Sequence, residues 1–324
     1  MIKLFLVLLV GLFSVILFVH DELSADVSHP VVRLSSGKFN DYENRLKLPP
    51  MVMGPASPGK RVKIIPPEYE GSEVHHILYL PVDWDENWKK KGRSWPVIVE
   101  YTGNKYPTSG STGKVEDAAL GYGLSGGKFI WVVLPFVATD YKHNEVTWWG
   151  DEKATVDYAK LNVPRICENF GGDSGKVFIC GFSRGAIAVN YIGLYDDEIA
   201  KLWCGFITHD HYDGVREWKS TVWGSPLSHY RDSAFNRLKR LANKPVLICQ
   251  NESTLEIQNY LKDFKNFADF TFFDIPVNKI FPEIPNALMI HPHTDRWLFV
   301  DSDSRRKVWQ WMNSVLSTLE TNNF

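Results

Sequence analysis

Between Lys176 and Leu194 the chain reads KVFICGFSRGAIAVNYIGL, a stretch that leaves the backbone very little choice. An apolar, β-branched run ends at Cys180. Gly181-Phe182-Ser183-Arg184-Gly185 follows, and a helical stretch with the small residues Ala186 and Ala188 near its start takes over. A strand can turn into a helix over so few residues only if backbone packs closely on backbone. Glycines two places before and two places after the serine permit that, and they leave the serine hydroxyl projecting from the bend.

The same alternation recurs along the chain. Strand-like runs span His75 to Leu80, Pro96 to Tyr101, Phe129 to Leu134, Lys176 to Cys180, Gly205 to Thr208, Pro245 to Cys249 and Thr271 to Ile275. Helical stretches lie at Ala154 to Asn169, Ala186 to Leu194, Thr254 to Phe264 and Ser304 to Leu319. Strands such as VIVEY and WVVL are apolar on both faces, so the expected α/β fold is a mainly parallel central sheet covered by helices on both sides.

The segment before this pattern divides in two. Lys3 precedes an apolar stretch from Leu4 to Val19, closed by Asp21 and Glu22, and Leu23-Ser24-Ala25 offers a small-residue cleavage site. Residues 1–25 therefore read as a signal peptide or a membrane anchor, with the apolar part slightly short for a span. Either way the protein is expected outside the cytoplasm, secreted or attached at its N-terminus. Residues 26–59, rich in Ser, Pro and polar side chains, read as a linker or strap, and residues 60–324 as one folded domain. A formal net charge of -2 provides no field for a nucleic acid. Lys89, Lys90, Lys91 and Arg93 form the single basic cluster worth naming and read as a solvated loop. Four cysteines in an exported chain suggest disulfides. Cys180 and Cys249, however, each end a core strand. With a third strand between them their Cα atoms would lie roughly 9 to 10 Å apart, beyond disulfide reach. Cys204 opens another apolar run and Cys167 lies on a helix, so all four read as thiols.

The strand, the Gly181-Phe182-Ser183-Arg184-Gly185 turn, the helix after it, the preceding Gly171-Gly172-Asp173-Ser174-Gly175 and a late histidine before the closing helix together resemble the α/β-hydrolase superfamily. The resemblance covers about Val74 to Leu319 and is nearest in character to secreted esterases of the feruloyl-esterase and polyhydroxybutyrate-depolymerase type. It implies an α/β-hydrolase catalytic domain and a serine-dependent carboxylic ester hydrolase with Ser183 as nucleophile. The expected order of serine, acid and histidine places the base in His291-Pro292-His293-Thr294-Asp295, with His293 preferred and His291 in reserve. The acid is expected after the seventh strand of that fold, which points to Glu252, where Ser253 and Glu256 also suggest a capping box. Asp213 and Asp210, after the sixth strand, are the alternatives. The oxyanion donors are expected to be the N–H of Arg184 and one from Thr102-Gly103-Asn104, at Thr102 or Asn104.

Other clusters fall on the ligand side of such a sheet. Trp148 and Trp149 could stack on a sugar or an aromatic group, with core packing as the competing reading. His211 and Tyr212 belong to a His-Asp-His-Tyr-Asp run that could shape the pocket. Residues so close in sequence rarely converge on one ion, and the expected chemistry calls for neither metal nor cofactor. The expected partner is a small-molecule or polysaccharide ester. A serine peptidase of the prolyl-oligopeptidase type and a non-catalytic exported protein on the same scaffold are the alternatives.

Overall fold

The computed structural model describes residues 46–106, 111–218, 226–282 and 293–321. The strands in chain order are β1 (Met51–Val52), β2 (Arg61–Ile64), β3 (His76–Tyr79), β4 (Trp95–Tyr101), β5 (Ile130–Leu134), β6 (Phe136–Val137), β7 (Asn144–Glu145), β8 (Gly172–Phe182), β9 (Gly205–His209), β10 (Val246–Asn251) and β11 (Phe270–Ile275). The helices are α1 (Trp88–Lys91), α2 (Leu120–Ser125), α3 (Glu152–Phe170), α4 (Arg184–Tyr191), α5 (Asp197–Ala200), α6 (Leu227–Leu238), α7 (Leu255–Leu261), α8 (Val277–Ile280) and α9 (Asp303–Thr321). Among the described residues, nine strands form one sheet in the order β1-β2-β3-β5-β4-β8-β9-β10-β11, while β6 and β7 make a separate antiparallel pair. Only β3 runs against its neighbours, antiparallel to both β2 and β5; every other adjacent pair is parallel.

Period-two alternation along the central strands builds two cores, one on each face of the sheet. On β4, Val97 and Val99 enter one core with Val156, Ala159 and Val163 of α3 and Ile187 and Val189 of α4. Ile98 enters the other, with Leu120 and Leu124 of α2 and Val308 and Met312 of α9. Each such Val, Ile, Leu or Met side chain taken from water contributes about 1.5–3 kcal/mol. This two-sided burial explains why VIVEY and WVVL lack polar alternation. Helix α3 starts where Asp151 accepts a hydrogen bond from the Ala154 N–H and ends at Gly171, whose φ of 79° suits a left-handed cap.

The segment expected as linker or strap ends as part of the sheet. β1 pairs with β2, and the Leu46 N–H donates to the Phe299 carbonyl at 3.0 Å, which lays this stretch over the sheet's edge and the second core. All four cysteines are free, and β9 lies between the strands that carry Cys180 and Cys249. The basic cluster at 89–93 is the short helix α1 and its exit rather than a loop, with Lys91 paired to Asp85 and Arg93 to Asp83. The expected signal or anchor at 1–25 lies outside the described residues.

Candidate active site

Ser183 sits at the carboxyl end of β8 with φ 57° and ψ -120°, a conformation that costs a non-glycine residue about 1–3 kcal/mol and persists only where its surroundings enforce it. They do so here through two close approaches. A Cβ on Gly181 would meet the Gly185 carbonyl oxygen at 2.0 Å, and one on Gly185 would meet the Tyr101 oxygen at 1.9 Å. Both glycines are therefore required by space. The Ser183 N–H donates to the His209 carbonyl at 3.0 Å, so the turn is held between the ends of β4 and β9.

His293 and Asp210 come together beside this turn. The His293 ring packs 4.5 Å from the Phe182 ring, and its Nδ1 lies 3.2 Å from Asp210 Oδ2. Asp210, fully buried, directly follows β9. Asn251, the last residue of β10, braces it: the Asn251 backbone N–H donates to Oδ1 and the side-chain amide to Oδ2, each at 2.7 Å. The same amide donates to the Thr294 carbonyl at 2.8 Å, which ties the histidine loop to Asp210. Burial pushes the Asp210 carboxyl up, but His209, the His293 contact and the Asn251 N–H outweigh it and hold the group at about 2. His209 completes the cluster. Its Nε2 accepts from the Trp297 indole N–H at 2.6 Å, and its Nδ1 lies 3.6 Å from Asp210 Oδ1.

The expected acid, Glu252, is not the partner of His293. β10 runs on through Asn251, so the position facing the histidine loop is filled by an amide, and Glu252 falls in a turn with φ 74°. There it lines a cavity of about 190 Å³ with His211, Tyr212, Trp218, Gln250 and Glu256. Nor does the Ser253–Glu256 capping box form. Thr254 is the N-cap residue of α7 and donates through N–H and hydroxyl to Asp274 on β11, while Glu256 lies 3.7 Å from Arg216. Asp213 is fully buried and committed elsewhere, accepting two bonds from Arg237 at 2.7 and 2.9 Å and one from the Tyr230 hydroxyl at 2.8 Å. His291 lies outside the described residues. The two carboxylates of the His-Asp-His-Tyr-Asp run thus serve different partners.

Arg184 is the first residue of α4, where a backbone N–H has no intrahelical acceptor and can face a forming anion. Gly103 packs directly against the serine, so closely that a methyl group on its Cα would lie 3.4 Å from the Ser183 Cβ. Thr102 is buried and gives its hydroxyl to the Gly113 carbonyl at 3.2 Å. The Asn104 side-chain oxygen accepts from the Trp148 N–H at 2.7 Å, which joins this loop to the tryptophan loop. The two tryptophans part company there. Trp148 is half-buried and packs edge-on against Trp218 at 5.4 Å, whereas Trp149 is a core residue stacked on Tyr191 at 4.8 Å. His211 faces the site, 5.4 Å from the His293 ring and 5.0 Å from Trp218. Tyr212 reaches the cavity wall but is buried against Tyr260 and Phe270. Sequence reasoning missed Asn251, His209 and Trp297, and it missed any part for the Arg184 side chain; the Gln-Asn-Glu and His-Asp neighbours were the faint signals.

Ser183, Asp210 and the Thr102-Gly103-Asn104 loop all lie at carboxyl ends of parallel strands in the middle of the sheet, where open α/β sheets hold ligands. Counted from β2, the third and fourth strands exchange places, only the second runs antiparallel, and the strained serine turn follows the fifth. That is the α/β-hydrolase fold. No protein-family profile matches the chain, and no curated protein matches its sequence. Among solved structures, a feruloyl esterase module from Clostridium thermocellum is similar at 13% identity and TM-score 0.38, over 62% of this chain and 75% of its own. An esterase from Rhizomucor miehei is similar at 11% identity and TM-score 0.44, over 77% and 81%. The AtxE2 isopeptidase gives 14% identity and TM-score 0.44, over 79% and 43%.

Proposed function

We propose that the protein is a serine hydrolase acting on carboxylic esters through an acyl-enzyme, with Ser183 as nucleophile, His293 as general base and Asp210 as the acid that orients the histidine. The observation that carries the reading is the 3.2 Å contact of His293 Nδ1 with a fully buried, well-braced Asp210, beside a serine held at φ 57°. With Nδ1–H committed to the carboxylate, Nε2 is the nitrogen left to take a proton. Ser183 Oγ attacks the acyl carbon while its proton passes to His293. The carbonyl oxygen becomes an alkoxide facing the Arg184 N–H and the 102–104 loop. His293 then returns the proton to the departing alcohol. Water repeats the sequence on the acyl-serine and frees the acid.

Preference for an ester over an amide follows the sequence resemblance to secreted esterases. The half-buried Trp148, His211 and Trp218 suit an aromatic or sugar face on the substrate. Export is part of the proposal and is supported by the apolar stretch at 4–19. A mature chain beginning near Asp26 is expected by N-terminal sequencing, and Met1 on a membrane-bound product would replace the cleaved signal with an anchor. The direct test is covalent labelling by a fluorophosphonate, expected on Ser183 and absent from Ser183→Ala. It should be read together with short, long and aromatic p-nitrophenyl esters and matching p-nitroanilides. A folded wild-type protein that resists the probe supports the non-catalytic alternative, and faster anilide turnover supports a peptidase.

A further inference from the structure

Arg184 presents an unusual charge. Its side chain is 1% exposed, deeper than almost any arginine that lacks a carboxylate partner, and among the described residues Glu145 is the carboxylate whose charge reaches it. Burial lowers the guanidinium to about 9, which still leaves it a cation at neutral pH. What compensates it is a set of oxygen dipoles. Nη1 donates to the Trp148 carbonyl at 2.6 Å, Nη2 to the Gly103 carbonyl at 3.0 Å and the Thr102 hydroxyl at 3.1 Å, and Nε approaches the Thr102 carbonyl at 3.4 Å. The Phe136 ring lies beneath, 4.0 Å from the guanidinium carbon. A buried charge without an ionic partner is costly, and here the oxygens of Thr102, Gly103 and Trp148 are what offset it.

The two loop carbonyls explain the charge. In a planar trans peptide the C=O and N–H point in opposite directions. The Thr102 carbonyl shares its peptide with the Gly103 N–H, and the Gly103 carbonyl shares its peptide with the Asn104 N–H. With both oxygens drawn to one guanidinium, both N–H groups are turned away from it, at a glycine that packs directly on Ser183.

We propose that the Arg184 guanidinium is the positioning residue of the oxyanion hole: it fixes the Thr102 and Gly103 carbonyls so that the N–H groups of Gly103 and Asn104 aim at the alkoxide formed at Ser183. One residue then serves twice, its backbone N–H facing the anion and its side chain holding the loop that supplies the rest. Such preorganisation works only in the transition state, since the loop need not rearrange as charge develops. The proposal rests on the serine-hydrolase reading above.

The test compares wild type with Arg184→Lys, which keeps the charge and loses the fork, and with Arg184→Ala. Each is assayed on an ester the wild type hydrolyses, with thermal melts as a control. Expected are a fall in kcat of about 10²–10³-fold with KM changed by less than about threefold, weakening of a trifluoromethyl ketone that follows kcat/KM, and partial recovery of Arg184→Ala in millimolar guanidinium. A loss confined to KM or melting temperature, with trifluoromethyl ketone affinity kept, overturns the proposal and leaves the hydrolase reading standing. A wild type that a fluorophosphonate does not label overturns both. Should the Arg184 variants not fold, Thr102→Val keeps the side-chain shape and removes one acceptor of the guanidinium together with the hydroxyl's bond to the Gly113 carbonyl. It is expected to lower kcat several-fold at constant KM, and an unchanged kcat would overturn the proposal.

Discussion

Three carboxylates compete for one task at the residue scale, and their surroundings separate them. Asp210 has four close donors or imidazole contacts and is held at about 2, so it stays ionised at neutral pH. Glu252 is an exposed side chain whose carboxyl is raised, chiefly by partial burial and then by the charge of Asp210. Asp210, and not Glu252, is the carboxylate in contact with His293. Asp210→Asn is therefore expected to lower kcat by roughly four orders of magnitude while leaving KM close to wild type. Glu252→Gln should keep kcat within a few-fold and show its effect, where it has one, on the KM of substrates that reach the 190 Å³ cavity. Steady-state kinetics of the pair on one ester decides this: a Glu252→Gln enzyme that loses kcat while Asp210→Asn keeps it would return the acid to the end of β10.

Elements show why part of the molecule was legible in sequence and part was not. The serine turn could be read because strand, two glycines and helix all lie within one short segment, and the close contacts of Gly181 and Gly185 are consequences of that local geometry. The proposed acid could not be read, because its identity depends on where two strands distant in sequence stop. β10 extends two residues past Cys249, which puts Asn251 where a carboxylate was expected, and β9 ends at His209, which delivers Asp210. Helix α6 was missed because only Tyr230, Ala234 and Leu238 are buried along it, a thin stripe on a polar sequence. What secures that helix is a charge pair. Arg237 forks onto Asp213, which is fully buried, and the Tyr230 hydroxyl completes the set. Removing one member leaves the other buried and unpaired, a loss of about 3–5 kcal/mol. Asp213→Asn is thus expected to lower the denaturant midpoint markedly while the protein that remains folded turns over ester at a near-normal kcat. A full-strength fold with kcat abolished would instead place Asp213 in the chemistry.

Across the whole molecule, two buried titratable groups on opposite faces of the sheet set opposing pH dependences. Glu100, on β4, accepts from the Gly121 N–H at 2.8 Å, the Trp131 indole at 2.9 Å and the Leu120 N–H at 3.3 Å, yet burial raises it from 4.5 to about 7. The folded state then binds a proton that the unfolded state has released. Its stabilisation is fully present below pH 4.5 and is lost as pH rises through about 7, a loss on the order of 3 kcal/mol. His76, on β3, has its Nδ1 within 2.8 Å of the Tyr158 hydroxyl and is lowered by burial from 6.5 to about 3. Its contribution runs the other way, present above pH 6.5 and lost as pH falls toward about 3. Between pH 4.5 and 6.5 the two slopes, each about 1.4 kcal/mol per pH unit, oppose and nearly cancel. Unfolding free energies of Glu100→Gln and His76→Gln, measured across that window and subtracted from the parent's, isolate each group from every other titration. Glu100→Gln should gain stability relative to the parent as pH rises, and His76→Gln should gain it as pH falls. Parallel, pH-independent offsets for both variants would show that neither group carries its proton differently in the folded and unfolded chains.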